Sequence, residues 1–181
     1  MKYAKELKFI NDCIVRGNRN LYCVGLKTVI EFGNNQLTVS VSNAKNNDSV
    51  GDGREDYEIC TWRAAWRISC EGEILLASRD MLSEDEFNLR LKDLNLGQLE
   101  SIEMTSDWDV RMRFDSNCII DYITLHSDAD STFDVFTPRG HVIAFSPVYG
   151  WQIGESEKPW KGENVMSVEA YIRHNGTGAS V

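Results

Sequence analysis

The sequence lacks the residue combinations that build common catalytic and metal centres. Its three histidines, His126, His141 and His174, do not lie in H-E-x-x-H or another metal-ligand spacing. It has no G-x-S-x-G elbow, and Gly51-Asp52-Gly53 lies in a polar loop without the strand-to-helix context of a phosphate site. The sequence therefore predicts a protein that is not an enzyme and that binds no metal or cofactor.

Paired cysteines and long apolar runs are also missing. No C-x-x-C pair occurs, so a zinc site has almost no support from spacing, and we expect reduced, partly buried thiols. No window approaches the ~18 apolar residues of a membrane span, and the first residues do not resemble a signal peptide. These absences predict a cytoplasmic protein that does not contact a membrane. The cysteines are Cys13, Cys23, Cys60, Cys70 and Cys118.

Positive charge is scarce. The chain has 19 basic and 28 acidic side chains and a formal charge of −9. A field of this sign repels phosphate backbones and anionic lipids and attracts basic proteins, although it also serves plain solubility. The charge therefore disfavours nucleic-acid binding. With 42% hydrophobic residues among 181, the chain can build a core, and we expect a single domain over residues 1–181.

Helical patterns occur at two places. Apolar residues recur at near-helical spacing over residues 3–15, which predicts a short amphipathic N-terminal helix. Ser83 and Glu86 form the pattern of a capping box and predict a helix over residues 83–95 that links two β-rich halves. Alternating apolar residues near the end predict a C-terminal strand over residues 165–173.

The rest of the chain follows the period of two that is typical of strands. Residues 22–32 and 37–41 predict a hairpin. Residues 43–56 are almost entirely polar and predict an exposed loop. Residues 57–69 predict a strand or a pair of strands, and Trp62 and Trp66 would share one face if the strand is unbroken. The fold class is therefore α+β, mostly antiparallel β.

Two stretches echo each other and predict a tandem repeat over about residues 21–80 and 99–153. The echo is an F-x-x-N-x-[LI] pattern followed by an aromatic residue, a glycine and a serine at similar spacings. Phe32-Gly-Asn-Asn35-Gln-Leu37 reappears as Phe114-Asp-Ser-Asn117-Cys-Ile119, and Trp66, Gly72 and Ser78 match Phe133, Gly140 and Ser146.

Acidic residues and aromatic residues fall together on predicted loops. Aromatic side chains are favoured anchors of protein interfaces, and carboxylates complement a basic partner. Tryptophans in a β-rich protein also belong often to the core. The pattern predicts a partner-binding surface rather than a catalytic one. Its candidate residues are Asp107, Trp108, Asp109, Asp128, Asp130, Tyr149, Trp151 and Trp160.

The repeated unit resembles a class of small, acidic, β-rich bacterial proteins over about residues 21–153. Some of these are similar to immunity proteins encoded beside secreted polymorphic or contact-dependent toxins. The resemblance implies a cytoplasmic inhibitor that masks a basic surface or active site of a cognate toxin. It carries no functional residue over to this chain.

Two alternatives stay open. One is a β-barrel or sandwich that binds a small apolar ligand between its sheets. The other is a hydrolase that uses two aspartates opposed across a cleft.

Overall fold

A computed structural model of the protein describes residues 2–16, 21–31, 34–43, 57–158 and 164–176. It is an α+β structure, as predicted, in which antiparallel strands form two sheets. The helices are α1 (Ala4–Ile10), which continues into a π-helical segment (Asn11–Arg16), α2 (Glu84–Lys92) and α3 (Val168–Asn175). The strands are β1 (Leu21–Glu31), β2 (Asn34–Asn43), β3 (Tyr57–Cys60), β4 (Ala65–Cys70), β5 (Glu73–Ala77), β6 (Leu99–Met104), β7 (Val110–Phe114), β8 (Cys118–Ile123), β9 (Phe133–Phe136), β10 (His141–Ser146), β11 (Gly150–Glu155) and β12 (Val165–Ser167).

The two sheets pack face to face across one apolar core. Sheet A has the order β1-β2-β3-β9-β10-β11-β12, and sheet B has the order β5-β4-β8-β7-β6. The rings of Tyr122 in sheet B and Phe133 in sheet A meet at 5.1 Å between centroids. The indole N–H of Trp66 in sheet B donates to the carbonyl oxygen of Asn35 in sheet A at 2.8 Å. These contacts fix the inner face of both sheets.

The strand order has an internal regularity. If β1 to β5 exchange numbers with β6 to β10, the first five strands of sheet A become the order of sheet B. All neighbouring pairs in both series are antiparallel. Strands β11 and β12 extend sheet A beyond β10, and no strand of sheet B stands in the equivalent place beyond β5 among the described residues. Each half of the chain thus contributes strands to both sheets.

The tandem repeat predicted from sequence is nevertheless not confirmed. Its second part falls on the equivalent hairpins β4–β5 and β9–β10. Its first part does not, because Ile119 of the later copy lies in β8, whereas Leu37 of the earlier copy lies in β2, whose equivalent in the second half is β7. Phe32 itself, and most of the polar loop predicted over residues 43–56, lie outside the described residues.

The N-terminal helix forms where it was predicted. Leu7, Ile10 and Ile14 are buried on its inner side. Asn11 fastens it to sheet B, because its amide donates to the Ile102 carbonyl at 2.7 Å and accepts from the Ile102 N–H at 2.9 Å.

A helix also forms within the predicted residues 83–95, as α2. The Ser83 hydroxyl accepts from the Glu86 N–H, and the Glu86 carboxylate accepts from the Ser83 N–H at 2.8 Å, which completes the capping box. Phe87 is buried and packs its ring edge-on against Trp66 at 5.8 Å. The helix thereby covers the β1 side of the core.

The predicted C-terminal strand over residues 165–173 is wrong beyond Ser167. The Ser167 hydroxyl accepts from the Ala170 N–H at 3.1 Å and caps α3. Val168, Tyr171 and Ile172 lie three and four residues apart and face the core. Val168 and Ile172 fit both periods, and the serine cap together with packing on α1 selects the helix.

The prediction of reduced thiols is wrong for two cysteines. Cys70 and Cys118 form a disulfide across β4 and β8, where the strand register places them opposite each other with 4.0 Å between Cα atoms. They are 48 residues apart in sequence, so no short spacing motif predicts the disulfide. Burial raises the pKa of the Cys13, Cys23 and Cys60 thiols to about 11.

Candidate functional site

The outer face of sheet A carries a groove of about 750 Å³. Its floor is made by strands β9 to β12, and its rim by the β3–β4 connection and the loop that precedes β9. Aromatic, acidic and small polar side chains share the lining. The lining residues include Trp62, Asp130, Ser131, Asp134, Tyr149 and Lys158.

Strand alternation places Asp134 at the floor of this groove. In β9, Phe133 and Val135 point into the core between the sheets, so Asp134 and Phe136 point to the opposite face. Alternation alone would leave such an aspartate exposed to water. The loop at residues 129–131 and the Trp62 side chain cover it instead, and only 6% of Asp134 is exposed.

Trp62 reaches the groove because the chain changes sheets at this point. The segment predicted as a strand or a pair of strands forms a pair, β3 in sheet A and β4 in sheet B, so Trp62 and Trp66 do not share one strand face. A hydrogen bond from the Ala64 N–H to the Thr61 hydroxyl, 3.2 Å long, closes the connection. Trp66 enters the core, and Trp62 stays 44% exposed at the groove rim.

The Asp134 carboxylate is only half satisfied. Its Oδ2 accepts from the Ser131 hydroxyl at 2.9 Å. Its Oδ1 is buried and has no hydrogen-bond partner among the described residues. The Trp62 indole interacts with the carboxylate without reaching hydrogen-bond geometry on Oδ1. A buried acceptor without a partner costs stability.

The environment makes this carboxyl hard to ionise. Burial raises the pKa of Asp134 from its ordinary 3.8 to about 6, while the contacts from Ser131 and Trp62 work in the opposite direction. An ionisable group whose pKa is shifted by burial inside a groove is typical of functional sites.

The acidic loop beside the groove is largely neutralised by the chain itself. Arg63 contacts Asp128 at 2.6 Å and Asp130 at 3.0 Å. His126 adds a contact to Asp128 at 2.8 Å. The loop predicted to offer two carboxylates to a partner is therefore tied to the β3–β4 connection.

The other predicted acidic cluster lies in the β6–β7 turn. Asp109 accepts from the Ser106 hydroxyl at 3.0 Å and from the Thr124 N–H at 2.9 Å, so its carboxylate stabilises the turn. Asp107 and Trp108 are exposed, and the Lys2 ammonium lies 5.1 Å from the Trp108 ring. None of these three predicted residues lines the groove.

The aromatic residues predicted to bind a partner lie in different environments. Tyr149 is 60% exposed and lines the groove. Trp151 is 2% exposed and packs in the core against Phe133 and Phe145, so it presents no surface to a partner. Trp160 lies outside the described residues. Of the eight predicted residues, the structure brings Asp130 and Tyr149 together at the groove.

Two further features of the described residues bear on the chemistry. No helix among them is long and apolar enough to cross a membrane. No three histidine, cysteine or acidic side chains within the described ranges are grouped to hold a metal ion.

Comparisons with protein-family models, curated proteins and solved structures found no match to this chain.

Proposed function

We propose that the protein is a non-catalytic binding protein and that the groove on sheet A receives a basic partner protein. The observation that carries the proposal is the combination of two exposed aromatic side chains, Trp62 and Tyr149, with a buried and half-satisfied carboxylate, Asp134. Aromatic anchors beside a desolvated polar group are the usual composition of an interface hot spot. The net charge of −9 adds attraction for a basic partner over longer distances.

The biological role that fits this site is immunity against a cognate bacterial toxin. The resemblance to small acidic immunity proteins supports this role, and so does the preference for a basic partner. In this role the protein masks a basic surface or active site of the toxin. It needs no catalytic group of its own.

The experiment is a survival assay in which the protein is co-expressed with the product of the gene immediately upstream of its own. We expect that product to be toxic and the protein to restore growth. Trp62→Ala should abolish the rescue, and Trp108→Ala should preserve it. The two tryptophans are a matched pair, because they are 44% and 45% exposed and only Trp62 lines the groove. An upstream product that is harmless, or rescue that survives Trp62→Ala, would contradict the proposal.

A small-molecule site is the second candidate function. The groove volume of about 750 Å³ lies within the range of ligand pockets. It lies on the outer face of sheet A rather than between the sheets, where the apolar-ligand alternative expected it. A bound metabolite released on denaturation of purified protein, with no toxin rescue, would favour this candidate.

Two further proposals concern the origin of the two halves and the location of the protein in the cell. The exchangeable strand order supports descent of the two halves from one duplicated unit. A cytoplasmic location also stays a proposal, and it requires reducing conditions that would open the Cys70–Cys118 disulfide. Alkylation and mass spectrometry of protein taken directly from cells would show which state exists there.

A further inference from the structure

We propose that the groove on sheet A is a pocket for one cationic side chain, a lysine or an arginine of the partner protein, with Asp134 as its counter-ion. The inference rests on the proposed function and names the chemistry of its central contact. It assigns Asp134 as a specificity-determining residue.

The Asp134 carboxylate has an unpaired acceptor atom. Asp134 lines the groove and is 94% buried, since its exposed fraction is 6%, and its Oδ1 has no hydrogen-bond partner among the described residues. An ammonium or guanidinium group supplies the N–H donors that this oxygen lacks. A neutral donor would satisfy the hydrogen bond but would leave the buried charge uncompensated.

The other charged side chains of the groove are already paired. Asp130 and Lys158 also line it, and each has a partner of opposite charge. Arg63 contacts Asp130 at 3.0 Å, and Glu155 contacts Lys158 at 2.7 Å. An incoming cation is therefore directed to Asp134.

Part of the groove lining is apolar. Phe136, Val142 and Ala144 form an apolar wall beside Asp134. The methylene stem of lysine or arginine packs against such a wall while its charged end reaches the carboxylate. The exposed rings of Trp62 and Tyr149 offer cation–π contacts at the rim. A hydrated divalent ion would gain little from the wall and would need more oxygen ligands than this carboxylate provides.

The test follows the indole N–H signal of Trp62 by NMR during titration with N-butylguanidinium chloride at about pH 7.5, where Asp134 is ionised. We expect a dissociation constant on the order of 1 mM. N-butylurea, a neutral molecule of nearly the same shape, should bind at least about tenfold more weakly. At about pH 5 the cation should bind about tenfold more weakly, because a pKa of about 6 leaves about a tenth of Asp134 ionised.

Asp134→Asn should weaken cation binding at least about tenfold at the higher pH and remove the pH dependence. Asp130→Asn is the matched control, since Asp130 lines the same groove and is already paired with Arg63. His126→Gln is a second control, since His126 contacts Asp128 in the loop beside the groove at 2.8 Å. Cys60, which lies opposite Asp134 in the strand register, remains a thiol over this range, because its pKa is about 11.

Equal binding of N-butylurea and N-butylguanidinium, or undiminished binding to Asp134→Asn, would overturn the inference. Its failure is distinguishable from failure of the proposed function. Toxin rescue that Trp62→Ala abolishes and Asp134→Asn preserves would keep the partner site and remove the cation pocket. Cation binding that depends on Asp134, with rescue that survives Trp62→Ala, would keep the pocket and contradict the partner site.

Discussion

Replacement of Asp134 by asparagine should make the protein more stable at neutral pH. The carboxyl is 6% exposed, and burial raises its pKa to about 6. The folded protein therefore holds this proton more tightly than the unfolded chain, whose aspartate titrates near 3.8. As the pH rises from about 4 to about 6, the unfolded chain releases the proton first, and the folded state loses stability.

The size of the effect follows from the same two pKa values. A rise from 3.8 to about 6 corresponds to a loss of about 3 kcal/mol, present in full above about pH 7 and absent below about pH 4. The asparagine amide has no proton to release and keeps an oxygen that can accept from the Ser131 hydroxyl. The variant should therefore gain up to about 3 kcal/mol over the native protein at pH 7.

The assay is urea denaturation of both proteins between about pH 4 and pH 7.5. With an m-value of about 2 kcal/mol per molar urea, the midpoint of the variant should exceed that of the native protein by about 1.5 M at the upper pH. The comparison of the two proteins at each pH removes the contributions of all other carboxylates. A midpoint difference that is zero at neutral pH, or that does not change with pH, would refute the reasoning and show that Asp134 is solvated or paired.

Three further substitutions test other parts of the structure. Asp121→Asn should lower the free energy of unfolding by about 2 kcal/mol at neutral pH. Burial raises the pKa of this carboxyl, but the hydrogen bonds from Arg111 and Arg67 outweigh burial and hold the pKa below 3.8. That contribution is present above about pH 4 and is lost as the pH falls through the lowered pKa, so urea denaturation near pH 2 should show a smaller difference. Ser83→Ala should cost about 1 kcal/mol and lower the thermal midpoint, because the helix loses its capping box, and an unchanged midpoint would contradict this role. Cys118→Ser should lower the free energy of unfolding by about 4 kcal/mol, the value expected for opening a loop of 48 residues. A thiol reductant should lower the urea midpoint of the native protein to that of the variant and leave the midpoint of the variant unchanged.

Local patterns in the sequence were sufficient to predict the elements that local chemistry determines. The capping box at Ser83 and the apolar stripes of the N-terminal helix depend on neighbours three and four residues away, and both are confirmed. The prediction of a strand over residues 165–173 is wrong beyond Ser167, because alternation and helical spacing select overlapping residues there. Only the cap at Ser167 and the packing of Tyr171 on Phe9 decide between them.

The groove could not be predicted, because it depends on contacts between distant parts of the chain. Its position in an alternating strand predicts that Asp134 is exposed. Trp62, 72 positions earlier, and the loop that precedes β9 bury it instead. The sequence predicts a strand or a pair of strands over residues 57–69, and only the placement of β3 and β4 in different sheets decides for the pair. Trp151 was predicted to bind a partner, but it is buried against Phe133 and Phe145.

The most direct test of the central claim is an NMR footprint of the basic partner on the isotope-labelled protein. The account predicts that the signals of Trp62, Ser131 and Tyr149 shift or broaden on binding, since these residues line the groove on sheet A. A footprint confined to the Trp108 turn or to the outer face of sheet B would contradict it.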